Sequence, residues 1–255
     1  CGLVVALGFA LPVAVLLGYA VTYFGQSWTA EYVEFALASF GLALVAAVST
    51  VVIGMLFAYS VRLRDGRFSQ ALARTASLGY AVPGAVLALG VIVPFGALDN
   101  WLDDWMRTSF GVSTGLLLSG TTFAIGFAYA VRFLAVPTGG IEASLAKVTP
   151  SMDMAARTMG YGAGATFVRV HLPLIRGGMF AAGAIVFVDC MKELPATLIL
   201  RPFNFNTLAT YVYQYASDEQ IELAALGALT IVLVGLAPVV VLSRAMRAAG
   251  GGRAP

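Results

Sequence analysis

The sequence predicts an all-α fold that crosses a membrane several times. Of its 255 residues, 60% are hydrophobic and only 11% charged, against roughly 45–50% and 25% in an average soluble domain. Apolar stretches of about 20 residues, the length a helix needs to cross a bilayer core, occur six times, at 3–24, 36–61, 76–98, 115–136, 177–200 and 222–243. Lys and Arg concentrate in alternate connections, as they do in cytoplasmic loops. With 28 glycines, 10 prolines and a net charge of +2, the composition excludes a disordered tail, a coiled coil and a nucleic-acid binder with a broad basic surface.

The first stretch opens at Cys1 inside an apolar run. No initiator Met, basic flank or small-residue cleavage site accompanies it, so the start reads as a truncation point and not as a signal peptide. Arg62, Arg64, Arg67 and Arg74 follow the second stretch; Arg132, Lys147, Arg157, Arg169 and Arg176 lie at or after the fourth; Arg244, Arg247 and Arg253 follow the sixth. The opposite loops hold only Arg107 and Arg201, beside Glu31, Glu34, Asp99, Asp103, Asp104, Asp218, Glu219 and Glu222. Both termini are therefore expected in the cytoplasm. Trp28, Trp101 and Trp105 all fall in the outer loops, where amphipathic rings favour the headgroup layer. Only the terminal Gly-Gly-Gly-Arg-Ala-Pro tail departs in composition, so 1–255 reads as a single transmembrane domain.

Two distant cysteines, Cys1 and Cys190, and one histidine, His171, cannot build a disulfide framework or a His/Cys zinc cluster. His171 is expected at the surface of a cytoplasmic loop.

That loop, from Ala135 to Arg176, has Ile141, Leu145, Val148, Met152, Ala155, Ala156 and Met159 recurring near the helical period. Thr149 can cap a helix that begins with Pro150, and Gly160 permits a sharp stop. A short helix over 150–159 is predicted, with a second boundary at Pro173. On pattern alone it could equally lie in the headgroup layer as an interfacial helix.

The fifth stretch carries Asp189-Cys190-Met191-Lys192-Glu193-Leu194-Pro195-Ala196-Thr197. Ionisable groups cost about 2.5–3.5 kcal/mol each at the centre of a bilayer helix, so they must face protein or water. Helical spacing puts Asp189, Lys192 and Glu193 on one face, and Pro195 predicts a break directly after them. The charges either neutralise one another as a packing pair or line a translocation path.

Met154-Ala155-Ala156, three residues, Gly160, nine residues, then Val170-His171-Leu172-Pro173 resembles the signature loop of ABC importer permeases: Glu-Ala-Ala, three residues, Gly, nine residues, Ile-x-Leu-Pro. Met154 stands where that family usually has Glu, the acid being displaced to Asp153, about 100° around the helix. The run from Lys192-Glu193-Leu194-Pro195 to Arg201-Pro202-Phe203, and Gly79-Tyr80-Ala81-Val82-Pro83-Gly84, look like the ferric-iron branch of these permeases. The resemblance implies a type-I importer permease fold in a bacterial inner membrane, with a coupling loop over 150–173. Asp153, Met154, Ala155, Ala156, Gly160, Val170, Leu172 and Pro173 would form that loop.

It further implies two cytoplasmic ATPase subunits carrying ATP and Mg, an extracytoplasmic iron-binding protein and a second permease half. The chain would be the C-terminal half of a fused permease, or a separate half. By the same resemblance it is expected to bind no cofactor itself and to be non-catalytic. The candidate path is Asp189, Lys192, Glu193 and Pro195. Asp189 and Glu193 are oxygen donors suited to transient contact with a hard ferric ion.

Thiamine, polyamine and oxyanion permeases share the docking loop and remain alternatives. No Gly-x-x-x-x-Gly-Lys-Ser/Thr loop occurs, so hydrolysis would belong to a partner. A secondary transporter or channel would not need the loop spacing. An intramembrane hydrolase would need a base at membrane depth beside Ser39 or Ser119, and none is apparent. Tyr211, Tyr213 and Tyr215 read as aromatic-belt anchors and not as ferric phenolates. Asp218, Glu219 and Glu222 could meet a basic rim on a soluble binding protein, although exposed charges are usually solvated surface. Gly178 and Ala182 form a small-xxx-small packing pair.

Overall fold

The computed structural model describes residues 2–63 and 66–250. Cys1, Arg64, Arg253 and the side chain of Arg247, read above from the sequence, lie outside the described residues. The chain folds as helices α1 (Gly2–Thr22), α2 (Ala30–Leu63), α3 (Arg67–Ser77), α4 (Gly84–Phe110), α5 (Thr122–Phe133), α6 (Ala135–Leu145), α7 (Pro150–Thr158), α8 (Ala163–Met191), α9 (Pro195–Leu200), α10 (Leu208–Ser217) and α11 (Ile221–Gly250). Among the described residues, five helices are long and apolar enough to cross a membrane, and six spans result if α5 and α6, bent by 43°, count as one. The protein is a multi-pass membrane protein.

Three spans sit differently from their sequence assignment. The third begins at Gly84 and not at 76, because Val82, which precedes Pro83, is held extended (ψ 130°) after a 3₁₀ turn at Leu78–Ala81. Gly79 in that turn admits no side chain: a Cβ would lie 2.0 Å from the carbonyl oxygen of Val131. Arg132 Nη1 donates to the Val82 carbonyl at 3.1 Å and holds the same turn from α5.

The fourth span starts at Thr122 and not at 115, although Leu116-Leu117-Leu118 is apolar enough to be helical. Two carboxylates on α4 take the backbone of this segment instead. Asp99 Oδ1 accepts the N–H of Leu117 (3.1 Å) and Leu118 (2.9 Å), while Oδ2 accepts the N–H (2.7 Å) and hydroxyl (2.6 Å) of Ser119. Asp103 Oδ1 accepts from Ser113 Oγ (2.8 Å), Thr114 N–H (2.7 Å) and Gly115 N–H (3.1 Å). The fifth span is likewise displaced, from 177–200 to α8.

The described residues form two compact units. One comprises residues of 1–45, 84–128 and 188–255. In it α1 packs on α11 through Ala20, Ala225 and Leu229, with Val13, Leu16 and Leu226 around them. Tyr32 reaches Thr230 with its hydroxyl at 2.6 Å, and its ring meets that of buried Tyr211 edge-on at 5.9 Å. The Leu208 N–H donates to Ser39 Oγ at 2.6 Å, which fixes the start of α10.

The other unit comprises 46–83 and 129–187. Ala58, Ile141, Leu145 and Ile175 are its core, with Val51, Met55, Phe167 and Met179 packed against them. Gly178 and Ala182 of α8 lie against Ser144 and Gly140 of α6, so close that a Cβ on Gly178 would meet Ser144 Oγ at 2.0 Å. This is the approach that a small-xxx-small pair allows.

Asp99→Ala removes the acceptor of three N–H groups at once, and that of Ser119, which is buried, costs about 1–3 kcal/mol when left unpaired. The variant should melt at lower temperature in detergent and become nicked by protease within 111–121; wild-type protection of that segment would show that the carboxylate does not hold it.

Candidate functional site

The predicted loop helix is α7. Thr149 stands extended at its N-cap and Pro150 occupies the first position, where a missing N–H removes nothing. Thr149 does not cap through its side chain: its hydroxyl pairs with Ser151 Oγ at 2.8 Å, and a nearby hydroxyl thus replaces the backbone donor. The far end is closed by a Schellman turn. Tyr161 N–H donates to the Ala156 carbonyl (3.0 Å) and Gly160 N–H to that of Arg157 (2.9 Å). Gly160 has φ +80°, and its Cβ direction is open, so glycine is favoured there by backbone conformation and not by crowding.

Asp153 faces inward. Its Oδ2 accepts from Arg62 Nη2 at 2.7 Å, and its Oδ1 lies 2.6 Å from His171 Nε2. Arg62, at the end of α2, also donates to the carbonyls of Leu145 (3.0 Å) and Val148 (3.1 Å) where α6 ends. Burial opposes ionisation of Asp153, but the hydrogen bonds from His171 and Arg62 and their charges outweigh it and hold the carboxyl below its ordinary range.

His171 is not the exposed loop residue expected from the sequence. It is 3% exposed, bonded to Asp153 and packed edge-on to the Tyr59 ring, with centroids 5.6 Å apart. The boundary expected at Pro173 is also absent. A π-helical turn at Phe167–His171 leads directly into the α-helical residues from Leu172, giving room for a proline that cannot donate to the preceding turn. Val170 and Leu172 are half-buried and Pro173 is exposed.

Ala156 is fully buried beneath α7, whereas Ala155 and Met154 face outward. The structure thus gathers Asp153, Ala156 and His171 inside and leaves Met154, Ala155 and Gly160 outside. Arg62 and Tyr59 complete the cluster. In sequence Arg62 is only one of several loop cations, and nothing local marks a partner 91 positions away.

The second candidate region lies where α8 ends. Asp189 Oδ1 pairs with Lys192 Nζ at 2.9 Å, the lysine being 63% and the aspartate 12% exposed. The helix stops at Met191 and α9 opens at Pro195, so the helical period does not reach Glu193. The expectation of one face bearing Asp189, Lys192 and Glu193 is corrected accordingly. Glu193 is buried. Its Oε1 accepts from Ala196 N–H at 3.4 Å, and its carbonyl accepts from Thr197 Oγ1 at 2.7 Å. Among the described residues, no three His, Cys, Asp or Glu side chains gather where they could hold a metal ion.

Tyr211 is a core residue and not a belt anchor. Burial, then Tyr215, Tyr32 and Glu31, push its hydroxyl up to about 12, so it remains a phenol. Tyr213, 49% exposed, is the one that faces outward.

No family model matches the chain. It is 27% identical over 241 residues to an Fe(3+)-transport system permease protein of Haemophilus influenzae, covering 93% of this chain and 44% of that one. It is 25% identical over 248 residues to a Salmonella typhimurium protein described as a 2-aminoethylphosphonate transport permease, covering 89% of this chain and 84% of that one. The chain spans less than half the length of the ferric-transport relatives it matches. Among solved structures it is similar to a chain of a bacterial alginate ABC transporter in complex with an alginate-bound periplasmic protein, with TM-score 0.71 and 12% identity over 92% of this chain and 86% of that one. That likeness shows the fold, the all-helical architecture of an ABC-transporter membrane subunit.

Because the Asp153 carboxyl is held low in the folded protein, its stabilisation is present above the unfolded carboxylate value of about 3.9 and is lost as pH falls through the lower folded value. The difference in melting temperature between wild type and Asp153→Asn should therefore stay constant near neutral pH and close only under acid. A gap that closes between neutral pH and mildly acidic conditions would assign the effect to another group.

Proposed function

We propose that this chain is a non-catalytic permease domain of an ATP-driven importer in a bacterial inner membrane, with both termini cytoplasmic. It pairs with a second permease half and translocates ferric iron delivered by an extracytoplasmic binding protein. The observation that carries this reading is α7: a nine-residue helix closed by Gly160 and braced through Asp153. A rigid short helix of this kind suits transmission of force, and the ferric-transport and importer relatives support its assignment to coupling.

Two cytoplasmic ATPase subunits, holding ATP and Mg, close on nucleotide and displace the 150–173 loop. The two permease halves then rock between inward-open and outward-open states around a central path. Met154, Ala155 and Gly160 present the outer surface of the knob, while Asp153 and Ala156 fix it from beneath. Val170, Leu172 and Pro173 join it to α8.

The path is assigned to the bend after α8. Asp189 and buried Glu193 supply hard oxygen donors, Lys192 moderates their charge, and Pro195 interrupts the helix so that backbone carbonyls can face a wet cavity. Similarity to a phosphonate permease over most of that protein's length favours oxyanion import as the second reading. Two carboxylates beside one ammonium suit a metal cation better.

Gly160→Asp puts a Cβ and a charge at a left-handed stop. In proteoliposomes it should lower transport per ATP hydrolysed severalfold with the protein still inserted; unchanged uptake removes the coupling role. Asp189→Asn with Glu193→Gln should depress iron uptake while the binding protein docks with unaltered affinity. Normal iron uptake in the double variant excludes the path, and saturable uptake of 2-aminoethylphosphonate in place of iron selects the other substrate.

A further inference from the structure

The outward ridge of α7 consists of Ser151, Met154, Ala155 and Thr158, all exposed. Its hydroxyls are already engaged, Ser151 with Thr149 (2.8 Å) and Thr158 with the Ala155 carbonyl (2.8 Å). Met154 is 60% exposed and is the only large side chain on that ridge; Met152 (41%) and Met159 (63%) flank it. The ridge therefore offers a thioether over small residues and asks for no hydrogen bond.

Charge around it is one-sided. From 146 to 176 the sequence has one acid, Asp153, against Lys147, Arg157, Arg169 and Arg176. Asp153 is occupied from beneath by Arg62 and His171, whereas all four cations are exposed. A partner that brought a cation to this surface would find no carboxylate to receive it.

We propose that the ATPase surface receiving α7 is a groove with an apolar floor under Met154 and an acidic rim opposite Arg157. The inference rests on the coupling role assigned above and specifies its partner. Methionine suits the task because its unbranched, polarisable side chain adapts to an apolar recess, and complementary rim charge steers encounter and fixes register.

The test uses the complete importer, with both permease halves and its cognate ATPase subunits, in vesicles of phosphatidylethanolamine and phosphatidylglycerol. Met154→Leu should retain ATPase affinity, while Met154→Glu should weaken it by about tenfold or more, the equivalent of about 1.4 kcal/mol. Arg157→Glu should weaken it too and flatten its dependence on salt. Tighter or equal binding by Met154→Glu would mean a cationic groove and overturn the proposal. A maleimide fluorophore should label Met154→Cys readily in vesicles without ATPase and poorly once the subunits are added. Protection without them would place the ridge in the lipid headgroups and also overturn it. If the wild-type permease binds no ATPase subunit, the coupling role itself fails; if it binds and only the variant pattern is wrong, the failure is confined to the groove's chemistry.

Discussion

The loop between α6 and α8 depends on where one carboxylate finds its donors. Asp153 divides its two oxygens between Arg62, at the end of one apolar helix, and His171, in the turn that opens another. Arg62 in turn satisfies two carbonyls left open where α6 finishes. The end of α2 and the lengths of chain on either side of α7 are thus fixed to one short helix. Removing either donor would leave one oxygen of a partly buried carboxylate without its partner, a larger loss than that of an exposed ion pair.

The same economy of partners appears in the other unit, where Asp99 takes the N–H groups of Leu117, Leu118 and Ser119. An apolar tripeptide that composition alone would place in a helix is drawn into an irregular loop. Local preference yields here because a buried carboxylate with backbone donors is better satisfied than one without them.

These two clusters mark where reading from sequence succeeds and where it stops. Apolar length identified the long spanning helices but not α3 or α10, and the Pro150 and Gly160 pair located α7 to within one residue, because a fixed φ and a left-handed stop are local properties. The Gly178 and Ala182 pair likewise pointed to close packing. His171 was misplaced at the surface because burial follows from partners 18 and 112 positions away, Asp153 and Tyr59. Glu193 was placed on a helical face that ends two residues before it, since the period was carried through the break that Pro195 announces. The third span slipped because Val82 is held extended before Pro83, and the fourth because hydropathy measures length of apolar chain and is blind to which amides a carboxylate already holds.

The π-helical turn at Phe167–His171 carries one residue more per turn than its neighbours would need. That surplus sets the azimuth of everything after it. Excising one residue there would wind α8 back by about 100°, swinging the imidazole off its carboxylate and bringing the Pro173 ring against an intact preceding turn. A length polymorphism of a single codon in this segment would therefore act as a rotation rather than as a shortening, and a lineage that keeps the histidine opposite the aspartate has to keep the extra residue with it.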